Sequence, residues 1–126
     1  MKIDHLAIWV NDLDVMRRFY ETYFEAKAND LYQNEQKQFA SYFLTFPQSD
    51  CRLELMRRSD IQDLGQQTLG YAHLAISLGS KEAVDVMTRR LVDDGYERLD
   101  GPRTTGDGYY ESVVLDPEQN RIELTV

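Results

Sequence analysis

One cysteine, two histidines and three prolines are all that the 126 residues hold of these types. The lone Cys51 cannot close an internal disulfide, and the lack of a disulfide framework suits a reducing compartment. Standing at the head of an apolar strand pattern, it reads as a small core residue rather than a nucleophile. No apolar run approaches the roughly 18 residues of a membrane span, and no charged-then-apolar leader pattern opens the chain. Positive charge is also short: 14 Lys and Arg against 22 Asp and Glu leave a net charge of −8. That balance opposes nucleic acid and anionic lipid. The expectation is a cytoplasmic protein with a small-molecule partner, no nucleic acid and no membrane. The length is that of one domain, and an apolar fraction of 42% is ordinary for a globular chain.

The two histidines fall in the same tetrapeptide. His5-Leu6-Ala7-Ile8 returns as His73-Leu74-Ala75-Ile76, 68 positions on, and Arg52-Leu53-Glu54-Leu55 returns as Arg121-Ile122-Glu123-Leu124, 69 positions on. From His to Glu is 49 residues in the first copy and 50 in the second. Self-similarity at a fixed period is first a matter of architecture. It divides a single domain, 1–126, into repeats 1–57 and 71–126. The linker 58–70 loses periodicity among Ser59, Asp60, Gly65 and Gly70.

Each repeat reads as βαβββ. Residues 2–10 alternate as a strand, with His5, Ala7 and Trp9 on one face and Leu6, Ile8 and Val10 on the other. Asn11 or Asp12 caps a helix whose stripe is Leu13, Met16, Phe19, Tyr20, Tyr23 and Phe24. Strands follow at 28–34, 38–46 and 51–57, the last with Leu53 and Leu55 on its core face. In the second repeat, strand 71–78 leads through Ser80 to a helix with Ala83, Val84, Met87, Leu91 and Val92, stopped at Gly95. A short strand at 96–100, a Gly-rich loop at 101–108, and strands at 109–115 and 121–126 complete it. The fold class is α+β.

Strand alternation gathers the repeated polar residues. His5 and His73, Glu54 and Glu123 sit opposite apolar faces that the helices must cover, so they point to the other side of the sheet. Two neutral imidazoles and two carboxylates make an N₂O₂ set that balances one divalent ion of Ni, Co, Zn, Fe or Mn.

The sequence resembles the vicinal oxygen chelate superfamily, which includes glyoxalase I, fosfomycin-resistance enzymes, extradiol dioxygenases and bleomycin-binding proteins. The likeness spans the whole chain. It rests on Asp4-His5-Leu6-Ala7-Ile8-Trp9-Val10, Phe19-Tyr20, Ala72-His73-Leu74-Ala75-Ile76 and Asp116-Pro117-Glu118-Gln119-Asn120-Arg121-Ile122-Glu123-Leu124, with Gln119 where the family usually has Gly. It implies tandem βαβββ modules that form an open, barrel-like, eight-stranded mixed sheet around a metal, with the helices outside. His5, Glu54, His73 and Glu123 match all four glyoxalase I ligand positions. Fosfomycin-resistance enzymes and ring-cleaving dioxygenases generally lack a Glu at the place of Glu54, and bleomycin-binding members lack the ligand set.

Both carboxylates together therefore imply a glyoxalase I-like, lactoylglutathione lyase-like enzyme. It would isomerise a 2-oxoaldehyde–thiol hemithioacetal by enediolate proton transfer, with Glu54 or Glu123 as the shuttling carboxylate. An antibiotic- or small-molecule-binding module of the same fold, or thiol or water addition to an epoxide, stays as the alternative. Trp9 stands where glyoxalase I typically has an Arg for a glutathione carboxylate, and Arg58 where an Asn is usual, which leaves the thiol open. Arg52, Arg103, Tyr109, Tyr110 and Arg121, with Trp9, are the candidate substrate contacts. A half-open sheet with an unpaired edge further implies a homodimer.

Overall fold

The computed structural model describes residues 1–62 and 69–126; of the expected linker, residues 63–68, Gly65 among them, lie outside the described residues. The chain divides into two units, Met1–Leu64 and Gly65–Val126. In the first, β1 (His5–Trp9) leads into α1 (Leu13–Phe24), followed by β2 (Lys27–Ala28), β3 (Tyr32–Asn34), β4 (Phe39–Thr45) and β5 (Arg52–Arg58). The sheet order is β1-β5-β4-β2, with β3 also on β4. In the second, β6 (Leu74–Ser77) leads into α2 (Lys81–Asp93), then β7 (Arg98–Thr104), β8 (Tyr110–Leu115) and β9 (Arg121–Thr125), in the order β6-β9-β8-β7. The α+β class and the twice-written βαβββ path are as the sequence implies.

The helices form where the caps and stripes require. Asp12 is the N-cap of α1, its Oδ1 accepting from the Asp14 and Val15 amides at 3.0 and 2.9 Å. All six residues of the expected α1 stripe are buried. Ser80 caps α2 by accepting from the Ala83 amide. There the stripe runs Val84, Thr88 and Leu91, whereas Val92 is exposed. Thr88 can be buried because its hydroxyl donates to the Val84 carbonyl at 2.6 Å and meets Ser112 Oγ at 2.5 Å. Facing the helices are Leu44, Leu53 and Leu55 in the first unit and Val114, Ile122 and Leu124 in the second, all almost fully buried. Each such side chain contributes about 1.5–3 kcal/mol of transfer free energy. That commits the opposite sheet face, with the His and Glu residues, to the side without a helix.

Three local expectations change. The strand expected at 28–34 is two short pieces, so nine strands are present among the described residues. Asn29 interrupts it by accepting the Phe43 amide on its own Oδ1 at 2.8 Å while its backbone amide donates to the Phe43 carbonyl. Four steps along the chain from Ala28 to Tyr32 then match three from Leu44 to Ser41, as in a bulge. In the second unit the Gly-Pro pair does not end β7, which runs on to Thr104 with register shifts along it. An edge strand tolerates the missing Pro102 donor. Gly101 has φ +72, and a Cβ there would run into the Glu111 carbonyl oxygen. Finally, Cys51 is half-buried rather than a core residue. Among the described residues, no helix is long and apolar enough to cross a membrane.

Candidate metal centre

In each unit a parallel strand pair sets one His beside one Glu. β1 runs alongside β5 with His5 opposite Arg52 and Ala7 opposite Glu54, so His5 and Glu54 are diagonal neighbours. β6 runs alongside β9 with Ala75 opposite Glu123, and His73 lies two residues before Ala75, just ahead of the strand. The offset is the same. His5 Nε2 is 3.8 Å from Glu54 Oε2, and His73 Nε2 is 3.4 Å from Glu123 Oε2. The imidazoles are 39% and 44% exposed and the carboxylates 14% and 19%, so both pairs are reachable and both carboxylates largely shielded.

Two donors, each about 2.0–2.2 Å from one ion and 90–110° apart, stand about 3.0–3.5 Å from each other. The His73–Glu123 pair meets that spacing, and the His5–Glu54 pair exceeds it by a few tenths of an ångström, within reach of a small side-chain rotation. Imidazole nitrogen with carboxylate oxygen suits a borderline divalent ion. Among the described residues no three His, Cys, Asp or Glu side chains gather as a ligand group; each pair alone supplies two donors.

The surroundings of the two pairs differ. Asp4 Oδ2 accepts from His5 Nδ1 at 2.9 Å and from Arg52 Nη2 at 2.5 Å. These two hydrogen bonds, the histidine's first, hold the Asp4 carboxyl below the usual carboxylate range. Phe43, opposite Glu54 on β4, meets the His5 ring edge-on with centroids 5.2 Å apart. Beside Glu123 the neighbour is Glu111, on the same face of β8 and two places from Val113, which is opposite Glu123. The Glu111 side chain is 14% exposed. Burial pushes its carboxyl upward, the Glu123 charge adds to this, and Arg103 opposes it.

The expected substrate residues divide. Trp9 lies on the His5 face, edge-on to Phe39 at 6.3 Å, with the Arg58 guanidinium 5.1 Å from its ring centre. Arg58 in turn pairs with Asp60. Arg52 is engaged by Asp4 and stacked over Phe43 at 4.5 Å, so it orients His5 through Asp4 rather than the Glu54 carboxylate. Arg103 is opposite Glu111, bonded to Asp100 at 2.8 Å and 3.8 Å from Glu111 Oε1. Arg121 shares the Glu123 face by strand parity and is exposed. Tyr109 is exposed beside the Thr105–Gly108 turn.

Tyr110 departs from expectation. Its hydroxyl donates to Asp85 of α2 at 2.7 Å and Lys81 lies over its ring, so it belongs to the helix side of the sheet. Tyr42 repeats this in the first unit, bonding Asp14 of α1 at 3.3 Å. Sequence reasoning passed over Asp4 and Glu111 as working residues. The signal for Asp4 was its adjacency to a candidate ligand, and for Glu111 its strand parity, opposite in face to Ser112 and Val114.

The chain is 28% identical over 128 residues to the uncharacterized protein YqjT of Bacillus subtilis (strain 168), covering 95% of this chain and 94% of that one. Among solved structures it is similar to the glyoxylase/bleomycin resistance protein/dioxygenase domain from Frankia sp. EAN1pec, at 19% identity with a TM-score of 0.85 over 100% of this chain and 97% of that chain. It is also similar to the trypanothione-dependent glyoxalase I of Leishmania major, at 21% identity with a TM-score of 0.79 over 99% and 86% of the two chains. At these identities the structural likeness is one of fold. The sequence model of the Glyoxalase/Bleomycin resistance protein/Dioxygenase superfamily matches residues 2–124, and the chain belongs to that superfamily.

Proposed function

We propose that the protein is a metal-dependent isomerase of glyoxalase I type, acting on the hemithioacetal of a 2-oxoaldehyde and a small thiol. The observation that carries this is the duplicated His–Glu pair, in the same register in both units and on the face that the helices leave uncovered. His5, Glu54, His73 and Glu123 would hold one divalent ion of Ni, Co, Zn, Fe or Mn, the second pair coming from the same chain or from a second copy in a homodimer. Bound there, the ion supplies Lewis acidity that stabilises negative charge developing beside a carbonyl.

The remaining work falls to this chain's own groups. A carboxylate oxygen, of Glu54 or Glu123, takes the hydrogen of the sulfur-bearing carbon as a proton and returns it to the neighbouring carbon. The net change converts an oxo hemithioacetal into a hydroxyacyl thioester with no atom gained or lost. Trp9 and Phe39 offer an apolar surface on the first face, and Arg58 a cation next to it. These would receive the thiol portion, so the thiol need not carry the carboxylates of a glutathione.

The test is a turnover screen of 2-oxoaldehyde adducts with a panel of thiols, on protein loaded in turn with Ni, Co, Zn and Mn. Metal analysis and light scattering would be run on the same preparations. Metal-dependent thioester formation is expected, with about one ion per set of four ligands and the mass of a dimer at micromolar concentration. His5→Ala and His73→Ala should each lose most of the metal. Full metal content without turnover of any adduct would refute the isomerase and favour a binding module.

A further inference from the structure

The two halves of the proposed site are not equally prepared. Only an imidazole nitrogen without a proton can bind a metal, and which nitrogen that is depends on the hydrogen bond made by the other. In the first unit that bond exists, 2.9 Å from His5 Nδ1 to Asp4 Oδ2. The Nδ1 proton is thereby engaged, and the lone pair is left on Nε2, the nitrogen nearer Glu54. Asp4 is itself held. The Arg52 amide donates to the Asp4 carbonyl at 3.1 Å, and Arg52 Nη2 reaches Asp4 Oδ2 at 2.5 Å. The Arg52 guanidinium lies over the Phe43 ring, and Phe43 abuts the His5 ring. Arg52, Asp4, Phe43 and His5 thus close a ring of contacts around one imidazole. The repeat copies the arginine, as Arg121, but puts Ala72 where Asp4 stands. Ala72 has no side-chain acceptor to offer His73.

We propose that Asp4, backed by Arg52, is a positioning residue that fixes His5 as the Nδ1–H tautomer and makes the His5–Glu54 pair the stronger-binding half of the metal site. This rests on the four-ligand site proposed above. With no acceptor at Nδ1, part of the His5 population carries its proton on Nε2 and cannot bind. Outer carboxylates of this kind are worth about 10–100-fold in metal affinity. The side chain of Asp4 is 62% exposed, so its removal costs the fold little.

The experiment pairs ring ¹H–¹⁵N spectra of the metal-free protein with zinc affinity measured against a chromophoric chelator, in wild type, Asp4→Ala, Asp4→Asn and Ala72→Asp. His5 in the wild type is expected to show the Nδ1–H pattern. Asp4→Ala should add the Nε2–H form, leave the His73 signals unchanged, and weaken zinc binding by about 10–100-fold at an unchanged thermal midpoint. Asp4→Asn, which keeps an acceptor oxygen, should fall between, and Ala72→Asp should tighten binding. An Nε2–H pattern for His5 in the wild type, or equal zinc affinity in wild type and Asp4→Ala, overturns this inference alone. A wild-type protein that retains no zinc overturns the four-ligand site and this inference with it.

Discussion

Replacing Glu54 by Gln keeps the side chain's size and one oxygen but removes the basic carboxylate. Among the described residues, the partners of Glu54 across the sheet are not acids: across β4 is Phe43, and across β1 is Ala7. The loss should therefore approach the full value of general acid–base catalysis, about 10²-fold or more in kcat. Glu123 is differently placed, because Glu111 stands on the same face of β8, two places from the Val113 that is opposite Glu123. A second carboxylate in that position could take over the proton when Glu123 is lost. Glu123→Gln should then cost less than Glu54→Gln, on the order of 10-fold, and adding Glu111→Gln to it should bring the loss to the scale of Glu54→Gln. The assay is thioester formation under saturating substrate, with metal content measured on the same samples, since each change also removes charge from an ion's surroundings. Glu54→Gln with full metal and unchanged turnover would refute Glu54 as a required base. A Glu111→Gln, Glu123→Gln double variant no slower than Glu123→Gln alone would refute the reserve role of Glu111.

Glu111 also gives a pH signature in the metal-free protein. Its folded-state carboxyl is raised, so above the ordinary carboxylate value the folded state holds more protons than the unfolded chain, and this group's contribution to stability falls as pH rises through that window. Relative to wild type, Glu111→Gln should gain stability as pH rises above about 4. Urea unfolding across that range checks it, and a difference independent of pH would refute it. Gly101→Ala tests the close approach of β7 and β8. The added Cβ would collide with the Glu111 carbonyl and come within 2.9 Å of Ser112 Cα, at a φ of +72. A loss of about 2–4 kcal/mol is expected, against about 1 kcal/mol for Gly108→Ala, whose φ is +94 in open space. Equal losses in urea unfolding would mean that the strands separate enough to admit a methyl group.

How much of this was legible in the sequence follows from which periodicities are intact. The α1 stripe from Leu13 to Phe24 is uninterrupted, and all six expected residues are buried. In α2 the fully apolar pattern pointed to Val92, while the polar Thr88 takes the buried place because Ser112, on strand β8, satisfies it. No local pattern announces that partner. The break at Asn29 was hidden for the same reason: the side chain that replaces a strand hydrogen bond meets Phe43, which lies 14 residues on. Gly101-Pro102 reads as an ending, and only the edge position of β7 lets the strand continue. Faces survive such errors better than boundaries. His5, Glu54 and Glu123 keep their side of the sheet because the alternation of Leu6 with Ile8, Leu53 with Leu55, and Ile122 with Leu124 is fixed by the helices.

The repeat copies the donors and not their neighbours. Trp9 corresponds to Ser77 and Asp4 to Ala72, 68 residues on in each case. Opposite Glu54 stands Phe43, whereas opposite Glu123 stands Val113; two residues earlier on those strands are Ser41 and Glu111. One unit therefore surrounds its His–Glu pair with aromatic rings and an Asp-held imidazole, and the other surrounds its pair with a second carboxylate and Arg103. Coordination itself asks for the copied nitrogen and oxygen donors, while Asp4, present in the first half alone, would set how tightly His5 holds an ion. Choice of substrate and direction of proton movement need a difference between two sides. For the isomerase proposed above, that difference would come from Asp4, Trp9, Phe43 and Glu111, which are among the positions at which the two halves of the chain differ.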